Sequence, residues 1–177
     1  MKIIREERSD DHAIVYDIVQ AAFATMQHSS GTEQLIVERL RKSDAFIPEL
    51  SLVAESDGQI TGHILLSKIQ VKSNVKEHTI LSLAPVSVSP DRQRQGIGSQ
   101  LITWAHDRAL QLGYNAVVLI GHSSYYPRFG YEPAANFDIS FPYDSPSENC
   151  MAIELKKGAL DDVSGEVVYP REFYEEG

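Results

Sequence analysis

Residues 81–110 read LSLAPVSVSPDRQRQGIGSQLITWAHDRAL, and this stretch decides the fold. It spells strand, tight glycine turn, helix. Leu81, Leu83, Val86 and Val88 suit a buried strand, which Pro90 and Asp91 end. Residues 92–98 are polar and carry two glycines. Leu101, Ile102, Ala105, Ala109 and Leu112 then recur at helical spacing. Gly113 stands where a left-handed C-terminal cap is expected.

Gly96 and Gly98 allow backbone N–H groups to approach a ligand with no Cβ in the way. They open the predicted helix, whose unpaired amides and positive dipole end favour a phosphate. Arg92 and Arg94 flank the turn and can add charge-assisted hydrogen bonds. The residues therefore read as a pyrophosphate site, or else as a tight connection and no more. Two other phosphate motifs are excluded. A dinucleotide fingerprint needs a third glycine where Leu101 stands, and no Gly-Lys-Ser/Thr run for a Walker-type loop exists.

Residues 93–98, Gln-Arg-Gln-Gly-Ile-Gly, match the Gln/Arg-x-x-Gly-x-Gly/Ala signature of the GCN5-related N-acetyltransferases (GNAT), and the chain resembles that family. A second segment, Tyr125, Tyr126, Pro127, Arg128, Phe129, Gly130, Tyr131, is similar to the family's Tyr-x-x-x-Gly-Phe/Tyr element, one helix and one strand further on. The resemblance covers roughly residues 1–157 and looks like small bacterial proteins predicted to be acetyltransferases. It implies an α/β (α+β) GNAT fold: a mixed central sheet of about six to seven strands, antiparallel N-terminal strands, a splayed parallel pair at the cofactor site and about four helices. It also implies acetyl-CoA as the acyl donor. Gln93, Arg94, Gln95, Gly96, Ile97, Gly98 and Ser99 would wrap its pyrophosphate. Val86, Ser87 and Val88 would pair with pantetheine, and Tyr125 and Tyr126 would border the pocket.

Composition agrees with an ordinary globular domain: 177 residues, 42% hydrophobic and 23% charged. The expected organisation is one domain over 1–157 with an extension of it at 158–177. The one cysteine, Cys150, excludes an intrachain disulfide, and no metal cluster is readable. No apolar signal region or membrane-spanning run is present in the sequence, which points to the cytoplasm and away from a membrane. Of the net charge of −9, residues 132–177 carry −8. Such a section argues against nucleic acid and suits either a soluble acidic surface or a cationic substrate.

Along the chain, residues 2–5 read as a first strand and Ser9 as an N-cap. Ile14, Ile18, Val19, Ala22 and Phe23 make a helical core stripe. Ser30 and Glu33 have capping-box spacing before a second helix bearing Leu35, Ile36, Val37 and Leu40. Asp57-Gly58 between residues 51–55 and 60–67 is a hairpin signal. Residues 71–78 read as a polar loop, 116–120 as a buried strand parallel to 81–88, and 137–141 and 151–155 as closing strands. His63 reads as structural.

In the family, Tyr126 occupies the position of a general acid: a phenol of pKa ~10 is protonated at neutral pH and can donate to a thiolate. Tyr125 competes for the role. Glu33, read either as a cap or as a cleft carboxylate, His122 and Glu55 are candidates for the base, beside a water relay. Histidine suits the task because it ordinarily titrates near ~6.5. Cys150 reads as structural. The reaction expected is acetyl transfer to an amine acceptor. An acyl-CoA sensor without turnover, or an O-acyltransferase, is the alternative, and a homodimer is expected only from resemblance.

Overall fold

A computed structural model describes residues 1–27 and 29–174. The chain forms two units that interleave in sequence. The first takes Met1–Ser67, Ala84–Arg108 and the segment from Arg171 on; the second takes Lys68–Leu83 and Ala109–Pro170.

In the first unit, β1 (Lys2–Glu6) pairs antiparallel with β2 (Ser51–Ser56), from Lys2↔Ser56 to Glu6↔Leu52. β2 pairs antiparallel with β3 (Gln59–Lys72), and the register shifts between Ala54 and Glu55. Asp57 (φ 52°) and Gly58 (φ 78°) make the expected hairpin, because a turn that follows the strands' twist needs positive φ at both central residues.

Helix α1 (His12–Phe23) buries Val15, Ile18, Val19 and Ala22, and Val15 and Val19 pack on Val53. Ile14 was expected in this stripe but is 42% exposed. The i, i+3, i+4, i+7 set starts at Val15, which leaves Ile14 at its edge. Ser9 is not the cap either: Ser9–Asp11 is a 3-10 turn before the helix. Asp11 takes two hydrogen bonds from Arg5 (2.7 and 3.1 Å) and one from the Arg8 amide (2.8 Å), and the Arg5 contact holds its carboxyl below the usual range. Helix α2 (Glu33–Leu40) buries Val37 and Leu40 against Ala45 and Leu65.

His63 is wholly buried, as its structural reading requires. The Ser51 hydroxyl donates to Glu7 Oε2 (2.7 Å), so its oxygen is left to accept from His63 Nε2 (3.0 Å). This fixes the Nε2–H tautomer. Nδ1 is buried without a hydrogen-bond partner among the described residues. Arg41 forks onto both oxygens of Glu7. Burial pushes the His63 pKa down to about 4; Glu7 opposes this, and Arg41 and His12 add to it. Burial alone would raise Glu7, but the bonds from Arg41 and Ser51 leave it below its ordinary value.

Helix α3 (Ile97–Gln111) begins in the first unit, where Ile97, Leu101, Ile102 and Ala105 are buried. Its C-terminus lies in the second. There the Gly113 amide bonds Leu110 O and the Tyr114 amide bonds Ala109 O, with Gly113 at φ 89°, the double bond of a Schellman cap.

β4 (Glu77–Val88) begins in the second unit, where it pairs in parallel with β5 (Ala116–Ile120) at Leu81↔Val117 and Ser82↔Val118. All five residues of β5 pair antiparallel with β8 (Cys150–Glu154), which also holds the two-residue β6 (Glu132–Pro133). The closing strands are thus shorter than expected at 137–141, where β7 is Ile139–Ser140. The expected loop at 71–78 shrinks to a turn at 73–76, closed by the Ser73 amide on Lys76 O (2.9 Å). Its polar look arises because one strand face is solvated: Val71 and Ile80 are buried, while Gln70 and Thr79 bond each other outside.

The tail 158–177 supplies β9 (Gly165–Val168), antiparallel to β3 at Gln70↔Val168 and parallel to β7 at Ile139↔Gly165. Residues 175–177 of it lie outside the described residues. Pairing is therefore mixed, as expected, and the described residues form nine strands where about six to seven were foreseen and three α-helices where about four were. Tyr126–Phe129 is a 3-10 turn, with Pro127 in its first turn and Gly130 at φ 101° ending it.

Candidate active site

The glycine turn lies in the first unit. After β4, Pro90–Arg92 form a 3-10 turn, and the Gln93 side-chain amide donates to Val88 O (3.1 Å), tying turn to strand. Arg94 (φ 62°) and Gly96 (φ 80°) are both left-handed, and this reverses the chain into α3. The helix ladder starts at Gln100 N–H to Gly96 O (3.1 Å), so the amides of Ile97, Gly98 and Ser99 open the helix. Residues 93–96 are exposed, whereas Ile97, at 3% exposure, anchors the turn from below.

Along β4, Val86 and Val88 were expected to be buried. They are half-buried, and Ser87 (2% exposed) is the inward residue, its hydroxyl without a partner among the described residues. Pro85 in this strand offers no N–H, which removes one ladder bond.

One contributor was missed in the sequence. A Cβ on Gly62 of β3 would lie 3.0 Å from Ser87 O and 3.1 Å from both Ile97 Cγ2 and Leu101 Cδ1. Gly62 therefore lets the start of α3 sit down on the strands. A glycine inside an apolar strand is itself a sign of such an approach.

Glu33, also in the first unit, does not close a capping box. Thr32 is the N-cap residue, and Ser30 Oγ bonds Thr32 Oγ1 instead of the helix. Glu33 Oε1 accepts from Ser29 Oγ (2.8 Å) and the Ser30 amide (3.2 Å), while Oε2 is buried and has no partner among the described residues. Glu55, by contrast, is committed to Arg5 Nε (2.9 Å).

The second unit holds His122, Tyr125 and Tyr126. The His122 carbonyl accepts from the amides of Tyr125 (3.1 Å) and Tyr126 (3.3 Å); its imidazole side is exposed. Tyr126 is half-buried, edge-on to Tyr125 (5.0 Å) and Tyr131 (5.8 Å). Burial, with Tyr125 second, pushes its hydroxyl well above the ordinary phenol pKa, so it stays protonated. The Arg128 guanidinium stacks 4.5 Å from the Tyr125 ring centroid. Burial raises the Cys150 thiol, which fits a structural thiol rather than an activated nucleophile.

The turn's donors fit an anionic pyrophosphate: three opening amides, two flanking arginines and open space where a Gly96 Cβ would stand. Among the described residues no group of His, Cys, Asp and Glu could hold a metal, and no helix is long and apolar enough to cross a membrane.

In this chain a strand, a glycine turn and a helix are followed by a strand parallel to the first. Its family is established by comparison. The sequence model of the Acetyltransferase (GNAT) family matches residues 14–131, and the chain belongs to that family. It is 34% identical over 116 residues, 64% of each chain, to the Escherichia coli protein YjhQ, described as an uncharacterized N-acetyltransferase. To YhbS of E. coli, described in the same words, it is 32% identical over 81% of this chain and 84% of that one. The crystal structure of E. coli YhbS in complex with CoA superposes with a TM-score of 0.87 at 28% identity, covering 99% of this chain and 93% of the other. A GNAT family acetyltransferase from Brucella melitensis in complex with acetyl-CoA gives 0.80 at 32% identity, covering 98% of each.

Proposed function

We propose that this protein moves an acetyl group from acetyl-CoA to an amine. The observation that carries the reading is the turn at 93–99. It has the family's sequence, exposes its backbone at a helix start, and belongs to a chain whose relatives bind CoA and acetyl-CoA. Residues Gln93, Arg94, Gln95, Gly96, Ile97, Gly98 and Ser99 hold the pyrophosphate, and the backbone of Val86, Ser87 and Val88 pairs with pantetheine.

The amine nitrogen attacks the thioester carbonyl, the C–S bond breaks, and the thiolate leaves with a proton. Glu33 is the carboxylate we assign to the incoming ammonium, because Oε2 is buried with no partner among the described residues. His122 is the second candidate for its proton. Tyr126 donates to the departing sulfur. Its raised pKa keeps the donor present at every physiological pH but makes full transfer harder, so hydrogen-bond stabilisation of the thiolate is the larger part of its role. Positioning of the two reactants supplies much of the rest.

Calorimetric titration with acetyl-CoA, and with an acetylated pantetheine lacking the 3′,5′-ADP portion, tests the turn. Binding that depends on the ADP portion, and is lost in Gly96→Glu, is expected; equal binding of both ligands refutes the assignment. Thiol release is then followed with spermidine, an aminoglycoside, a lysine peptide and a peptide with a free N-terminus as acceptors. Tyr126→Phe is expected to slow release about 100-fold.

A further inference from the structure

We propose that Gly121 is the positioning residue for Tyr126: the space left by its absent side chain is the seat of the phenol ring, and that seat fixes where the hydroxyl lies. The inference rests on the donor role proposed for Tyr126 and adds a second residue to it.

A Cβ on Gly121 would stand 2.3 Å from Tyr126 Cε2 and 2.9 Å from Cδ2, with Leu119 Cδ1 at 3.3 Å. Carbon atoms in contact prefer about 3.5–4.0 Å, so ring and Cβ exclude each other. The φ of Gly121 lies outside the left-handed region, so its backbone would accept any residue. The demand for glycine comes chiefly from the ring.

Both partners are held in place. The Gly121 amide donates to Asn149 O (2.9 Å), directly after the ladder between β5 and β8 ends at Ile120↔Cys150. The strand end is thereby pinned. The Tyr126 amide is held by His122 O, and its ring is fenced by Tyr125 at 5.0 Å and by Tyr131, itself 3% exposed, at 5.8 Å. A methyl group at 121 must turn the ring, and the hydroxyl at its far end moves furthest. A displacement of about 1 Å at a reacting group can cost roughly 100-fold in rate.

The experiment is a double-mutant cycle read two ways. By thermal unfolding, Gly121→Ala is expected to lower Tm by about 4 °C or more with the ring present and by less than about 1 °C in a Tyr126→Ala background. Equal losses in both backgrounds overturn the seat. In thiol release from acetyl-CoA, with the amine that turns over or with water if none does, Gly121→Ala is expected to lower kcat roughly 10- to 100-fold. KM for acetyl-CoA should stay within about threefold, and Gly121→Ala/Tyr126→Phe should be no slower than Tyr126→Phe. A further loss by the same factor in that background overturns the positioning role. If Tyr126→Phe alone turns over like the parent, the donor reading falls, while the unfolding cycle still decides the seat.

Discussion

Gly96 and Gly121 are glycines for opposite reasons. At Gly96 the backbone is left-handed (φ 80°) and a Cβ would meet nothing within 4 Å; at Gly121 the backbone is ordinary and there is no room. Substitutions at Gly96 should therefore follow backbone preference. Gly96→Ala is expected to cost about 1 kcal/mol, and Gly96→Asn, which tolerates positive φ, clearly less. Thermal unfolding of the two variants checks this, the alanine falling by about 2–4 °C. Equal melting would mean that the turn relaxes out of its left-handed conformation.

At the scale of elements, α3 is aimed by what lies beneath it. Gly62 allows Ile97 and Leu101 to reach the strands, and Ile97 anchors the turn whose residues 93–96 are exposed. Gly62→Val is expected to lift this end of the helix. It should cost about 1–3 kcal/mol and weaken acetyl-CoA binding more than pantetheine binding, measurable by denaturant unfolding and calorimetry. If binding is unchanged while stability falls, Gly62 serves packing alone. The buried network around His63 predicts a pH dependence. Unfolded, the imidazole takes up a proton below ~6.5; folded, it stays neutral down to about 4. Stability is therefore expected to be full above about pH 6.5 and to fall as pH drops toward 4. His106, also lowered to about 4 by burial, adds the same sign. Urea unfolding at pH 7.5, 6.0 and 5.0 should show a decline that is shallower in His63→Gln. An identical slope in that variant would assign the decline elsewhere.

For the whole molecule, the tail after residue 157 is part of the sheet. Val167 is fully buried, Leu160, Val163 and Tyr169 nearly so, and β9 covers an edge of β3. A chain ending at 157 is expected to be insoluble, since an unpaired strand edge and its apolar neighbours would face solvent. Gly165→Ala is a milder test: its Cβ would stand 2.1 Å from Lys72 O, and the backbone at φ 127° disfavours any side chain. Soluble expression and cooperative unfolding of the truncated chain would refute this role.

The sequence alone determined what depends on neighbours in the chain. Hairpin Asp57-Gly58, the Gly113 cap, the 93–98 turn and the strand–helix–strand run from 81 to 120 follow from local φ preferences and periodicity. The tertiary structure decided what depends on residues far apart in the chain. Glu55 is tied to Arg5; Ser87 rather than Val86 faces inward; residues 71–78 belong to a long hairpin; β9 finds its place on β3. Gly62 and Gly121 show why. Each is glycine because of a side chain or carbonyl from another position, and steric exclusion at short range leaves no periodic trace in the chain that carries it.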